Sequence, residues 1–450
     1  MHKTKKVVFI LLCVLLCDCV VAQDEERFKA DSAETFKEPE GSIHFLKLRK
    51  SYSIGDGISL RSANGRLIMS QTLQTVYSIN SANKDLSNLS STFSINRARL
   101  NFAANLFNNK LSAVGRLNFA ANNQSTTSGS RSFNTVLQEA YFEYRPSRKH
   151  IFNIGLRADY IDSRETRVEG ESLGFIDRSA VSGSFDAIFD YGIRYKGNYK
   201  LGGKHILKPY ISITTGDSRS SLQKNFGGFK YGIRLDYLPF DAFSNGGEFY
   251  MDDLAREVKP KLVIGVIYSY NDGASSATGT NGGRYLYGDS LQNILLPKYS
   301  KFGIDYMFKY RGFYSMGSCF ATQATVPDNI KGEYRLSGQF STYSSTQTNE
   351  QTKNTVLSRL NLGTGFNVQV GYILPSDWAF GVRYTSLNDN VITTNFANYN
   401  KYYTVVATKY LADHNLKIQV EIGYDELKDA LKTSTQNGNY YSQIQFTVQL

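Results

Sequence analysis

Along most of this chain apolar and polar residues alternate one for one, the period of a strand with one dry and one wet face. In "INRARLNFAANL" (Ile95 to Leu106), Ala98, Leu100, Phe102, Ala104 and Leu106 share one face; Arg97, Arg99, Asn101 and Asn105 share the other. From Phe229 to Tyr237, Phe229, Tyr231, Ile233, Leu235 and Tyr237 oppose Lys230, Arg234 and Asp236. From Leu416 to Tyr424, Leu416, Ile418, Val420 and Ile422 oppose Lys417, Gln419 and Glu421. No convincing run has helical period. The pattern predicts sixteen strands, over 66–79, 93–106, 111–122, 134–145, 151–160, 190–199, 205–215, 228–238, 259–270, 301–311, 313–321, 364–374, 378–386, 401–411, 415–424 and 440–450.

Alternation alone also fits a soluble antiparallel sheet. Strand length argues otherwise: many runs reach about 9–11 residues, which a tilted strand needs to cross a bilayer, against about 5–6 in globular proteins. The connections alternate as well. Short turns ("FNNK", "PSRKH", "LPSD", "ADHN") follow even-numbered strands and long polar loops follow odd ones, including 161–189, 271–300 and 322–363. That is the plan of a transmembrane antiparallel β-barrel with periplasmic turns and extracellular loops. One turn is out of place, 239–258, which is long for the periplasmic end. On most strands the outward positions hold no charge, in keeping with the ~2–4 kcal/mol that Arg or Lys costs at mid-membrane. Tyr144, Tyr160, Tyr199, Tyr237, Tyr270, Tyr310, Tyr410 and Tyr424 lie near strand ends, where interfacial girdles form. The expected fold is thus all-β, a barrel over 66–450.

Residues 1–22 read as a signal peptide: Lys3, Lys5 and Lys6, then an apolar run from Val7 to Leu16, then small residues up to Ala22. Three of the four cysteines lie in this leader; Cys319 alone remains, so no internal disulfide is available. The leader takes three of 51 basic and one of 40 acidic residues with it, leaving a formal charge of +9 where the whole chain has +11. In an exported protein that balance points to anionic solutes or an acidic surface such as lipopolysaccharide, not to nucleic acid. Residues 23–65, polar and charged at first, read as a flexible periplasmic segment.

No motif for catalysis, cofactor or metal emerges. His44, His150, His205 and His414 show no metal spacing, and no GxSxG, P-loop or GxGxxG is present. The chain does not read as an enzyme. The informative chemistry faces inward. Parity sends Arg97, Arg99, Arg116, Arg157, Arg194, Lys196, Lys208, Lys230, Arg234, Lys309, Arg383, Lys409 and Lys417 to the lumen, with Glu139, Glu143, Asp159, Asp236, Asp305 and Glu421. Six acids cannot neutralise thirteen bases, and rings of Arg and Lys favour anions. Arg grips oxyanions with paired N–H donors.

The segments "INRARLNFAANL", "LQEAYFEYRP" (137–146), "DYGIRYKG" (190–197), "FGIDYMFKYRGFYSMG" (302–317), "NVQVGYILPSDWAFGVRYTSLND" (367–389) and "YTVVATKYLADHNLKIQVEIGY" (403–424), in this order and spacing, resemble the phosphate-selective porin O and P family. The resemblance implies a homotrimeric sixteen-stranded porin in the outer membrane of a Gram-negative bacterium. It implies an inward-folded third extracellular loop, here 161–189, and arginine ladders passing phosphate-like anions. Arg97 and Arg99 match the family's arginine-rich second strand, and Arg383 its arginine before an aromatic. The loop supplies Arg164, Arg167 and Arg178 as constriction candidates, but also Asp162, Glu165, Glu169, Glu171, Asp177 and Asp186, which oppose strict phosphate selectivity. The expected function is passive diffusion of small, preferentially anionic solutes. A plugged barrel serving as a surface binding or adhesion protein is the alternative.

Overall fold

The computed structural model describes residues 54–120, 136–216, 226–276, 285–335, 337–389 and 397–450, with the backbone of Lys47 and Leu48. The expected leader and most of the segment 23–65 lie outside them. The wall has sixteen strands: β1 (Gly65–Asn83), β2 (Ser90–Leu106), β3 (Leu111–Asn118), β4 (Leu137–Tyr144), β5 (His150–Ala158), β6 (Phe189–Gly197), β7 (His205–Thr214), β8 (Lys230–Leu238), β9 (Lys261–Asn271), β10 (Lys298–Tyr310), β11 (Phe313–Thr325), β12 (Gly363–Ile373), β13 (Trp378–Asp389), β14 (Tyr399–Ala412), β15 (Leu416–Leu427) and β16 (Gln436–Gln449). Each pairs antiparallel with the next, and β16 closes on β1, with Val448 opposite Leu73. Closure gives every strand two partners and leaves no edge in lipid. The protein is a transmembrane β-barrel of the outer-membrane type.

The alternation maps onto the wall as the sequence predicts. On β8, Tyr231, Ile233, Leu235 and Tyr237 are exposed outward while Lys230, Arg234 and Asp236 are buried inward. Phe302 and Ile304, Val382, Val405, Ile422 and Phe446 continue the outer belt around the barrel. An acidic side chain at Leu100 or Ile418 would enter this belt. L100D and I418D should therefore lower the yield of folded barrel, read as loss of the heat-modifiable band on gels; normal yields from both would overturn the register.

Except between β8 and β9, short turns join even strands to the next odd one. Between β10 and β11 the turn is Arg311-Gly312, both at positive φ (50° and 89°). That is the requirement of a type I′ hairpin, which Gly meets without strain. At the long-loop end, the short strands Leu286–Gly288, Ile294–Leu295, Gly332–Tyr334 and Phe340–Thr342 form a separate sheet. Beside it lies the helix Asn349–Leu357, started by a capping box between Thr348 and Gln351. This helix falls in a segment expected to be loop throughout; the Thr-x-x-Gln spacing was its signal.

Three expectations are corrected. Lys409 points outward, not to the lumen. The neighbouring Val405 and Val406 blur the alternation, and at the short-turn rim the ammonium bends back to Ser376 O (2.7 Å) and over Trp378. Tyr160 and Tyr410 are no part of a girdle, since both are buried inside the lumen. Of the segment expected to be flexible, Ile58–Arg61 is a strand paired with Arg66–Met69 on β1, its Leu60 opposite Leu67.

Candidate functional site

The lumen is not an empty tube. Two segments fold into it. The first is the third long loop, between β5 and β6, built of the short helices Arg164–Arg167 and Ala180–Phe185 and a 3-10 turn at Gly170–Ser172. The second is the anomalous turn between β8 and β9. It carries Phe243, Met251 and Leu254 into an apolar cluster with Val168, Leu173 and Phe175 of the loop and Val263, Met307, Tyr314 and Val406 of the wall. Loop and turn touch directly: Met251 N donates to Ser172 O (3.2 Å) and Gly174 N to Met251 Sδ (3.1 Å). Burying this apolar surface favours the inward pose over a solvated one.

Charged pairs fix both segments to the wall. Arg164 reaches Asp236 (2.9 Å) and Asp305 (3.2 Å), and its backbone N–H also donates to Asp305 (2.9 Å). Arg234 is clamped between Asp236 (2.7 Å) and Asp305 (2.6 Å). Arg167 takes the other oxygen of Asp236 (2.7 Å). Lys301 holds Asp162 (2.6 Å) and Asp186 (3.2 Å) at the two ends of the loop. Lys417 donates to Leu173 O (2.6 Å), and Arg383 to Asp177 O (2.7 Å). In the turn, Lys208 grips Glu248 through both oxygens at 2.6 Å, and Lys309 donates to the carbonyls of Gly247, Tyr250 and Asp252. His414 pairs with Asp252 at 3.0 Å, where Tyr410 also donates. Lys301, Asp190 and Glu248 escaped the sequence reading; the length of 239–258 was the only sign of the turn's role.

Burial pushes the Asp186 carboxyl up to about 6, with Lys301 pulling down and Asp162 pushing up. Asp162 is also desolvated, but Lys301 and Lys230 hold it below the usual carboxylate range. A raised folded-state pKa contributes stability at low pH that is lost as pH rises through about 6. Asp162 stays ionised across that window, so the sign is set by Asp186. Going from pH 7.5 to pH 5 should slow hydrogen exchange at Ser163 and Ile188 after correction for intrinsic rates, and D186N should flatten the dependence.

One space left open is a cavity of about 690 Å³ against the β2–β6 wall. It runs from Arg145 and Ile151 at the short-turn end to Asn118 and Phe189 at the long-loop end. Of the residues proposed from sequence, Arg97, Arg99, Arg116, Arg157, Lys196, Arg167 and Arg178 line it. Arg383 and Arg178 line a second recess of about 270 Å³ against β13–β16. Arg194, Arg234, Lys417 and Arg164 face inward but are buried in pairs and backbone contacts and line neither space. Arg194, for example, is held by Asp159 (3.4 Å) and by the carbonyls of Gly155, Arg157 and Asp190.

The loop's acids reach the basic wall: Arg99 pairs with Glu171 (3.1 Å), Arg116 with Glu169 (2.8 Å), and Arg97 approaches Asp177 (3.8 Å), while Glu139 of β4 also pairs with Arg116 (3.1 Å). Even so, the cavity has eight basic residues against four acidic ones, Glu143, Asp159, Glu169 and Asp177. No helix among the described residues is long and apolar enough to cross a membrane, and none of their acidic, His and Cys side chains form a metal-binding group.

No family model matches this sequence, and no curated protein does. Among solved structures, it is similar to the OmpF of Salmonella typhi in complex with daunomycin (11% identity, 87% of this chain and 100% of that one, TM-score 0.49). It is also similar to OprB of Pseudomonas putida (9%, 86% and 94%, 0.47) and to the outer membrane channel DcaP of Acinetobacter baumannii (13%, 86% and 98%, 0.43). Likeness at this level carries no information about solute.

Proposed function

We propose that this protein is a passive diffusion channel of the Gram-negative outer membrane that prefers small anions. The observation that carries the reading is the cavity against β2–β6, which spans the height of the wall and has twice as many basic as acidic linings. A cleft of one sign raises the local concentration of counter-ions and so their flux. Arg97, Arg99, Arg116 and Arg157 set the field from the wall, and Arg167 and Arg178 from the loop. Glu169 and Asp177, whose side chains remain 46% and 56% exposed, weaken it, so the preference is moderate. Phosphate-like oxyanions among the solutes, a homotrimeric assembly and lipopolysaccharide around the belt rest on the family resemblance and complete this reading. Residues 1–22 would direct export, with 23–65 as a periplasmic segment.

The test is the zero-current potential of the purified protein in a planar bilayer across a KCl gradient. The expected sign is that of anions, and R97E/R99E should shift it toward cations while leaving the barrel folded. A cation-selective channel, or an unmoved potential in the double variant, would refute the proposal. Folded protein that never conducts would favour a plugged binding protein.

A further inference from the structure

The inward turn between β8 and β9 does more than narrow the lumen. It brings Phe249 to the cavity, facing a lysine and a tyrosine of the wall. The Lys196 ammonium lies 5.1 Å from the centre of the Phe249 ring and 5.7 Å from that of Tyr210. Arg167 stacks over Tyr210 at 4.7 Å, and Arg157 over Tyr160 at 4.8 Å.

These cations differ in what they have left to give. Arg167 spends its two terminal nitrogens on Asp236 and the Tyr210 hydroxyl. Arg157 donates to Glu143 and Asn153. Glu248, the turn's acid near Lys196, is taken by Lys208. Lys196 alone makes no ion pair and no hydrogen bond among the described residues, Glu248 acting on it only at longer range. It meets only ring faces, and those attract a cation far less than an anion would.

We propose that Lys196, Phe249 and Tyr210 form a binding subsite for a planar organic monocarboxylate, with its carboxylate on Lys196 and its apolar body against Phe249. The subsite rests on the channel reading above and narrows it. One open cation suits one negative charge. A phosphate needs several converging donors to replace its hydration, and the neighbouring guanidiniums are already committed. Aromatic faces reward a flat apolar body and give a small hydrated ion nothing, and one such contact is worth up to about ten-fold in affinity.

The experiment is block of the KCl current by benzoate, acetate and phosphate, each titrated separately. Benzoate should reach half-block at a concentration about ten-fold below acetate. Phe249→Leu, which keeps the bulk and removes the ring, should erase that advantage. Lys196→Gln should weaken benzoate and acetate alike. Equal block by acetate and benzoate, block by phosphate at lower concentration than benzoate, or an F249L channel that still favours benzoate would overturn the subsite. Should the protein pass no current, saturation-transfer NMR of benzoate with the micelle-embedded barrel reads the same contact. Transfer to benzoate that F249L abolishes supports the subsite, and no transfer refutes it. The zero-current potential in KCl judges the channel reading separately.

Discussion

Replacing Asp241–Pro260 by an Asn-Gly turn should raise single-channel conductance several-fold and leave the barrel folded. The wall does not depend on this segment, because β8 and β9 pair from Tyr237 opposite Ile264 to Lys230 opposite Asn271. Asn-Gly suits the tight hairpin that this geometry needs. What the segment does hold is the filling of the lumen beside β7–β12. Removing it takes away Phe243, Met251 and Leu254 and frees the loop at Ser172 and Gly174. Lys208 and Lys309 would lose their acceptors in the turn, but water entering the widened lumen replaces them. Planar-bilayer recordings check the outcome. Unchanged conductance would mean that ions already bypass the turn completely.

Asp305→Ala should have the larger effect on stability. Asp305 neutralises Arg164 of the loop and Arg234 of the wall, all three at most 1% exposed. Removing one partner of a buried pair leaves charge uncompensated and costs about 3–5 kcal/mol. That cost is relieved if Arg164 leaves for water and the loop lifts off. The variant should therefore conduct with larger, noisier openings and unfold at lower temperature. Asp305→Asn, which keeps an acceptor, should fall between the two. A cycle with Arg164→Ala separates the contact from general damage: for residues in one network the coupling is about 0.5–3 kcal/mol, and additive effects would show that the pair does not anchor the loop.

Much of this was legible before the fold was known. Alternation of the kind seen in Phe229–Tyr237 assigns every second side chain to lipid, because a charge there is too costly. The rhythm of short and long connections orients the barrel. Parity failed where its signal is weak: Val405 and Val406 are both apolar, so β14 could be read in either register, and Lys409 was placed on the wrong face. At strand ends Tyr160 and Tyr410 were expected at the interface, yet both turn into the lumen.

The candidate site was legible only as a list. The sequence supplied lumenal arginines, and among the inward strand residues alone the bases outnumber the acids. It could not show that Arg234 and Arg194 are sealed in ion pairs while Arg97 and Lys196 meet open space, since alternation tells which face a side chain occupies and not what it meets there. Nor could it show that Asp162, Glu171 and Asp186 return from the loop as counter-ions across more than 70 residues of chain. By itself, then, the sequence determined the wall, because each strand answers to lipid and water through its own period-two pattern. The tertiary structure decided the bore, because which bases stay free depends on two inward segments, one contributed by each end of the barrel, that meet at Met251.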